Sequence, residues 1–453
     1  MLCYHIEKTG AALMKLRINF DKIAGNVKPM HAVGQPPILG TNCSALHYLS
    51  DAAIPYARLH DVGGIYGGSR YVDIQNVFPD FGADETAPES YDFEYTDFLI
   101  KNLMEHNCEP IYRLGVTIEN DVLHGFKPRY INPPEDYEKW ARVCEHIIRH
   151  YNEGWADGFE YGIKYWEIWN EPENGINGHP TVNANQMWTG SDEDYFRLYS
   201  VAAKHLKSCF GDSIKVGGYA SSGLYSLRKD LFPTCHEGHD HMIDFFHGFM
   251  KHVKTEGAPL DFFSWHHYED ADSAAMLTEE LDKLLSEYGY SGLETHLNEW
   301  NTAHKRDSRG TSYAAASSAA MMIRMQSTSV YMLNYYDARI GISVYGGMFD
   351  PLSYNPNCVY YTFLAFGEMY KLGKQAECGF DTEKNGIFAL AATDGEGKRA
   401  ILLANTSGDD ERIITGLDGY TAYLIDRDNY MTKLDSATEF TLGNDKTVYI
   451  KNF

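Results

Sequence analysis

Between residues 37 and 372 the chain alternates, unit after unit, between a short apolar run and a stretch of helical period, and few folds accommodate that alternation. The runs fall at 38–40, 56–60, 110–115, 165–170, 214–218, 261–268, 294–299 and 330–336. Between them Tyr95, Leu99 and Leu103 recur every four residues, as do Trp140, Cys144 and Ile148, which places one apolar stripe on each helix. Ser191-Asp192-Glu193-Asp194 predicts a capping box that opens a helix toward Leu206, and further helices are expected over 241–253, 276–288, 313–325 and 359–372. Eight strand–helix units predict a parallel sheet closed into a (β/α)8 barrel, an α/β TIM barrel, over residues 37–372. The alternative, an open doubly wound sheet, carries a Gly-rich phosphate turn after its first strand, and none is present.

After Leu372 the texture changes. Short strand-like runs at 387–392, 399–405, 411–415, 421–425 and 447–451 are separated by turn signals such as Asp394-Gly395, Ser407-Gly408, Asp418-Gly419 and Gly443-Asn444. This predicts an accessory β-sandwich. Leu16, Ile18 and Phe20 alternate onto one face of a strand that precedes the barrel units, so the accessory domain is assigned residues 14–36 plus 373–453.

Composition narrows the partners. Among 453 residues, Lys+Arg 39 against Asp+Glu 63 gives a net charge of −24, a field that repels nucleic acid and acidic membrane surfaces. Hydrophobic residues at 44% with 23% charged describe a globular chain rather than a disordered one. No apolar run reaches the roughly 18 residues of a membrane span. The 8 cysteines include no C-x-x-C pair, and residues 1–13 lack a basic stretch followed by a long apolar run. Reduced thiols, no signal peptide and a cytoplasmic enzyme are therefore expected, with Met1 and Met14 as alternative starts.

The chemistry concentrates in two stretches. Tyr165-Trp166-Glu167-Ile168-Trp169-Asn170-Glu171-Pro172 runs with strand character into an amide and a carboxylate, and the proline then ends the strand. His296-Leu297-Asn298-Glu299-Trp300-Asn301 presents a second carboxylate in a similar setting. By count Glu171 ends strand four and Glu299 strand seven, at the barrel end where such folds carry their reactions. A single Glu at a strand end is ordinarily a loop cap or ion pair. Two of them supply what displacement at an anomeric carbon requires: one proton donor and one nucleophile, the chemistry of a retaining glycosidase. His266 and Tyr268 share a face at the end of strand six, where the hydroxyl can orient a carboxylate or the pair can simply fill the core. Arg58 and His60 share a face at the end of strand two, and Arg58 either steadies a carboxylate or fills a barrel layer through an ion pair.

Cys235-His236-Glu237-Gly238-His239-Asp240-His241 is rich in metal-ligand types, yet its spacing fits no zinc template. A polar loop and helix cap is the expectation, with no metal and no cofactor. Ser221-Ser222-Gly223 is not a nucleophile elbow.

With these residues placed, the chain resembles glycoside hydrolase family 39, the β-xylosidases and α-L-iduronidases. The resemblance rests on Tyr56-Ala57-Arg58-Leu59-His60, on 166–172 followed by Trp188 and 195–199, on Lys215-Val216-Gly217-Gly218, on Trp265-His266-His267-Tyr268 and on Asn298-Glu299-Trp300-Asn301. It implies Glu171 as general acid/base and Glu299 as nucleophile. It further implies Asn170 on the sugar 2-hydroxyl, with His60, His266, Tyr268, Trp300 and Asn301 assigned to substrate binding. The sequence departs from the family at Asp61-Val62-Gly63 and at Tyr335-Tyr336, both at the expected sugar site. The implied activity is cleavage of short plant-type saccharides, by default as a β-xylosidase. A β-galactosidase, an arabinoside-releasing enzyme and a catalytically silent sugar-binding barrel are the alternatives. A uronidase would need a cation for the substrate carboxylate, for which Arg58, Arg113 and Arg339 are the candidates. An oligosaccharide or glycoside is the expected partner, with homo-oligomerisation left open.

Overall fold

The computed structural model describes residues 13–38, 42–62, 71–117, 131–174 and 187–453, apart from positions 304, 342 and 344. After a long first strand, β1 (Leu13–Asn26), eight parallel strands close a barrel. They are β2 (Ala32–Gly34), β3 (Tyr56–Leu59), β4 (Glu109–Leu114), β5 (Tyr165–Ile168), β6 (Lys215–Ser221), β7 (Phe262–His267), β8 (Glu294–Trp300) and β9 (Met332–Tyr335), with β9 pairing back to β2. Nearly every residue of these strands is buried, because helices cover the outside and side chains fill the inside. Ala32, Ile111, Tyr165, Phe262 and Met332 form an apolar plug inside the barrel.

The first barrel strand corrects the sequence expectation. It is Ala32–Gly34, not 38–40: Val33 pairs with Ala57 of β3 and with Tyr335 of β9. Pro36 and Pro37 cannot donate to a ladder, so the strand stops before them. Ile38 is buried beyond the strand, and Leu39 and Gly40 lie outside the described residues. The barrel thus begins within the segment 14–36 that was assigned to the accessory domain.

The helices follow their sequence signals. Trp140, Cys144 and Ile148 are buried on Tyr137–Glu153, which Asp136 caps by accepting from Lys139 N at 2.9 Å. Ser191 and Asp194 form the expected capping box at the start of Asp192–Phe210.

The accessory domain is one nine-stranded sheet, β15-β14-β17-β12-β11-β10-β1-β13-β16. Its remaining strands are β10 (Lys374–Phe380), β11 (Ile387–Thr393), β12 (Arg399–Asn405), β13 (Glu411–Ile414), β14 (Thr421–Asp426), β15 (Asn429–Lys433), β16 (Glu439–Leu442) and β17 (Lys446–Lys451). β1 pairs antiparallel with β10 and, at its start, parallel with β13. The sheet curls until Met14, Ile413 and Leu442 meet Ile401, Leu403, Val448 and Ile450 in one core, so a single sheet makes the two layers expected of a sandwich. Its other face, with Leu390, Leu402 and Tyr449, packs on the barrel helices Ser312–Met325 and Cys358–Leu372.

Candidate active site

Above the apolar plug lies a polar layer centred on Glu167, which is fully buried in β5. Its Oε2 accepts from Arg58 Nε at 2.7 Å and its Oε1 from Ser264 Oγ at 2.6 Å, with Asn298 Nδ2 also donating to Oε1. A buried carboxylate is tolerable only with such compensation. Arg58 is the hinge of the layer. Its Nη1 donates to Glu299 Oε1 at 2.7 Å and its Nη2 to Asn170 Oδ1 at 2.6 Å.

Glu171 and Glu299 come together one step further toward the carboxyl ends of the strands. His266 Nδ1 stands between them, 2.6 Å from Glu171 Oε1 and 3.5 Å from Glu299 Oε2. One ligand atom of each of the three residues lies within 4.8 Å of the others. Tyr268 donates its hydroxyl to Glu299 Oε2 at 2.7 Å, so both oxygens of Glu299 have a donor. Burial raises the Glu299 carboxyl, His266 and Arg58 pull it down, and the charge of Glu171 pushes it up again. On Glu171, Oε2 accepts from Asn174 Nδ2 at 2.8 Å.

The backbone beneath Glu171 is bent to present it. Trp169 and Glu171 have φ of 73° and 46°, a region non-glycine residues seldom occupy. Glu171 N is held by the carbonyls of Tyr219 and Ala220 at 3.2 and 3.0 Å. Two residues on, Glu173 is buried with its Oε1 accepting from Ser222 N at 2.6 Å. Burial, then the charge of Glu171, pushes its carboxyl up to about 8.

His60 is buried at the end of β3, its Nδ1 accepting from Arg113 Nε at 3.2 Å and its Nε2 3.5 Å from Asp61 Oδ2. Burial and the charges of Arg113 and Arg58 hold the imidazole neutral, well below its usual range. Arg113 is itself engaged by Asp73 Oδ1 at 2.5 Å, and Arg339 Nε lies 3.3 Å from Asp337 Oδ2.

Two sequence assignments are corrected. Trp300 is fully buried against Tyr335 and Phe363 in the layer between strands and helices, so it packs rather than binds substrate. Asn301 lies past the end of β8 and is fully buried, and its Nδ2 donates to the carbonyls of Tyr336 and Tyr345 at 2.9 and 3.1 Å. It fixes the backbone that presents these two tyrosines. Tyr345 stacks on Tyr268 with ring centroids 5.1 Å apart, and Tyr336 meets Tyr345 edge-on. Tyr336 also accepts from Gln35 Nε2 and donates to Asp61 Oδ2 at 3.4 Å. Sequence reasoning had passed over Glu167, Glu173, Asn174 and Tyr345. A signal existed for Glu167, a charge inside an apolar strand that must find a buried cation.

The Cys235–His241 run is a helix cap, as expected. His236 Nδ1 accepts from Gly238 N at 3.1 Å and His239 Nδ1 from His236 N at 3.2 Å, opening the helix Glu237–Glu256.

The family model for glycosyl hydrolases family 39 matches residues 71–338. A beta-xylosidase of Geobacillus stearothermophilus is 25% identical over 265 residues, which are 55% of this chain and 46% of that enzyme, so the match spans less than half of that relative. Among solved structures, a glucosidase from Croceicoccus marinus superposes with a TM-score of 0.79 at 21% identity, covering 98% of this chain and 99% of the other. A GH39 beta-xylosidase from Caulobacter crescentus gives 0.67 at 16% identity, covering 97% and 99%. Both share the fold.

Proposed function

The chain belongs to glycosyl hydrolases family 39, a family of retaining enzymes, and from that premise we propose that it hydrolyses glycosides by double displacement, with Glu299 as nucleophile and Glu171 as general acid/base. The observation that carries this reading is the pairing of Glu171 and Glu299 across His266, with an oxygen of each within 4.8 Å. Retaining glycosidases hold their carboxyl groups about 5–5.5 Å apart, close enough for direct attack and too close for an intervening water.

In the first step Glu299 attacks the anomeric carbon while protonated Glu171 gives its proton to the leaving oxygen. Arg58 and Tyr268 hold the nucleophile's oxygens and set its direction of attack. Asn174 and His266 orient Glu171. In the second step Glu171 takes a proton from water, which releases the sugar from Glu299 with net retention. Asn170 directs its carbonyl to Arg58, which leaves its amide nitrogen to donate to the sugar 2-hydroxyl. His266 and Tyr268, which contact the two carboxylates, and His60 beside them are the residues proposed to line the glycone subsite. The chemistry requires no cofactor.

The substrate class we propose is a β-xyloside of a short plant-type saccharide, supported by the beta-xylosidase relative. A uronide is disfavoured, because Arg58, Arg113 and Arg339 each already pair with a buried carboxylate. A cytoplasmic setting is consistent with free thiols at all seven described cysteines.

Incubation with 2-deoxy-2-fluoro glycosyl fluorides of β-xylo, β-galacto, β-gluco and α-L-arabino configuration, followed by peptide mapping, tests the reading. Label on Glu299 from the β-xylo reagent is expected. Label on another carboxylate overturns the nucleophile assignment, and faster labelling by another sugar reassigns the glycone. Folded protein that no reagent labels favours the silent sugar-binding barrel.

A further inference from the structure

On the outer helical layer, away from the barrel mouth, Glu145 of the helix Tyr137–Glu153 meets His205 and Cys209 of the adjacent helix Asp192–Phe210. His205 and Cys209 are four residues apart, so one helical turn stacks imidazole and thiol on the same face. His205 Nε2 lies 2.6 Å from Glu145 Oε2 and 3.8 Å from Cys209 Sγ. One donor atom from each residue sits within 4.8 Å of the other two. We propose that Glu145, His205 and Cys209 form a binding site for a thiophilic divalent cation of the zinc class that clasps these two helices together.

The donor set is nitrogen, oxygen and sulfur, the types zinc prefers, and two of them come from one helix face at i, i+4. Tetrahedral coordination at bond lengths of about 2.0–2.3 Å separates neighbouring donor atoms by roughly 3.3–3.8 Å. The nitrogen–sulfur gap of 3.8 Å already has that span, and the nitrogen–oxygen gap of 2.6 Å opens to it by a side-chain shift of about 1 Å. The other oxygen of Glu145 is held by Arg149 Nε at 2.7 Å, while Arg149 Nη1 reaches Glu153, so the guanidinium fixes the carboxylate's orientation and has its charge shared with a second acid. The side chains of Glu145 and His205 are 13% and 28% exposed, which gives an ion an entry path and leaves room for a water as fourth ligand. Burial and the nearby Glu145 charge push the Cys209 thiol up. A bound cation reverses that balance, so binding releases a proton and strengthens as pH rises. The site differs from the Glu171–His266–Glu299 group in offering a sulfur and in lying partly open.

The test is a titration of chelator-stripped, full-length protein with Cd2+, following the thiolate-to-cadmium charge-transfer band in the ultraviolet, with Zn2+ retention after dialysis measured alongside. The expected result is a band saturating at one equivalent, one retained Zn2+, and a Tm raised by Zn2+ and not by Mg2+. Cys209→Ser should abolish the band, His205→Gln should weaken binding by roughly tenfold or more, and Cys235→Ser should change neither. Absence of the band in the unmodified chain overturns the proposal, whatever the variants do. So does a band that survives Cys209→Ser, or Zn2+ retention that neither Cys209→Ser nor His205→Gln alters.

Discussion

Arg58 donates to Glu299 through Nη1 at 2.7 Å, and it is the same guanidinium that holds buried Glu167 through Nε. Fixed in two directions from within the barrel, the cation cannot follow the carboxylate if Glu299 moves, so it sets the position from which the proposed nucleophile attacks. Lysine has no planar fork and cannot serve both partners in that geometry. Arg58→Lys should lower kcat by roughly a hundred- to a thousandfold, in line with loss of an oriented charge-stabilising donor. Arg58→Met strands two buried carboxylates and should cost about 3–5 kcal/mol in a denaturant titration. Wild-type kcat in Arg58→Lys would remove Arg58 from the reaction.

Tyr268 gives the second hydrogen bond to Glu299, and that bond favours the ionised form. Tyr268→Phe should therefore raise the carboxyl's pKa. Because the nucleophile must be ionised, the acidic limb of the kcat/KM profile should move to higher pH, with a fall of about tenfold at its plateau. A profile that drops without shifting would assign Tyr268 to substrate contact alone.

Burial, then the charge of Glu171, pushes the Glu173 carboxyl up to about 8 from its ordinary value of 4.5. Between those values the folded chain retains a proton that the unfolded chain has lost, so stability falls as pH rises across that window. Glu173→Gln removes the linkage while preserving an acceptor for Ser222 N. The Tm of the wild type should decline from pH 5 to pH 8 more steeply than that of Glu173→Gln, as scanning calorimetry at matched ionic strength would report. Parallel profiles would mean that Glu173 is ionised throughout.

What the sequence disclosed follows from how strands are buried. β5 and β7 are buried along their whole length and rich in aromatic residues, with Glu167 the one charge in β5 and Ser264 and two histidines the polar residues of β7, so their carboxyl ends, and with them Glu171 and His266, could be placed in the chain from residues alone. β2 is only 3 residues long and includes a glycine, too short to show any period, so the apolar pattern points to a first strand six residues too late. Asn301 sits beyond the end of β8, where the chain leaves the pleat and alternation no longer indicates a direction. Trp300 belongs to the motif but faces the helices, so proximity in sequence to Glu299 misled. The pairing of Glu167 with Arg58 spans 109 positions and has no local signature beyond a charge where none should sit.

The two carboxylates should be separable by their response to an external nucleophile. Glu171→Ala removes the proton donor, so a glycoside with a poor leaving group should lose its hydrolysis by about 10²–10⁴-fold. An aryl glycoside with an acidic leaving group needs little protonation and should still load the sugar onto Glu299. Release of that sugar then lacks its general base, and azide, which needs none, should restore turnover and yield the β-glycosyl azide from a β-glycoside. Glu299→Ala lacks the covalent step altogether; azide can then act only from the vacated face, and any product should be the α-glycosyl azide. Nuclear magnetic resonance of the products distinguishes the anomers. The reverse pattern would exchange the proposed roles of Glu171 and Glu299, and identical products from both variants would rule out the double displacement.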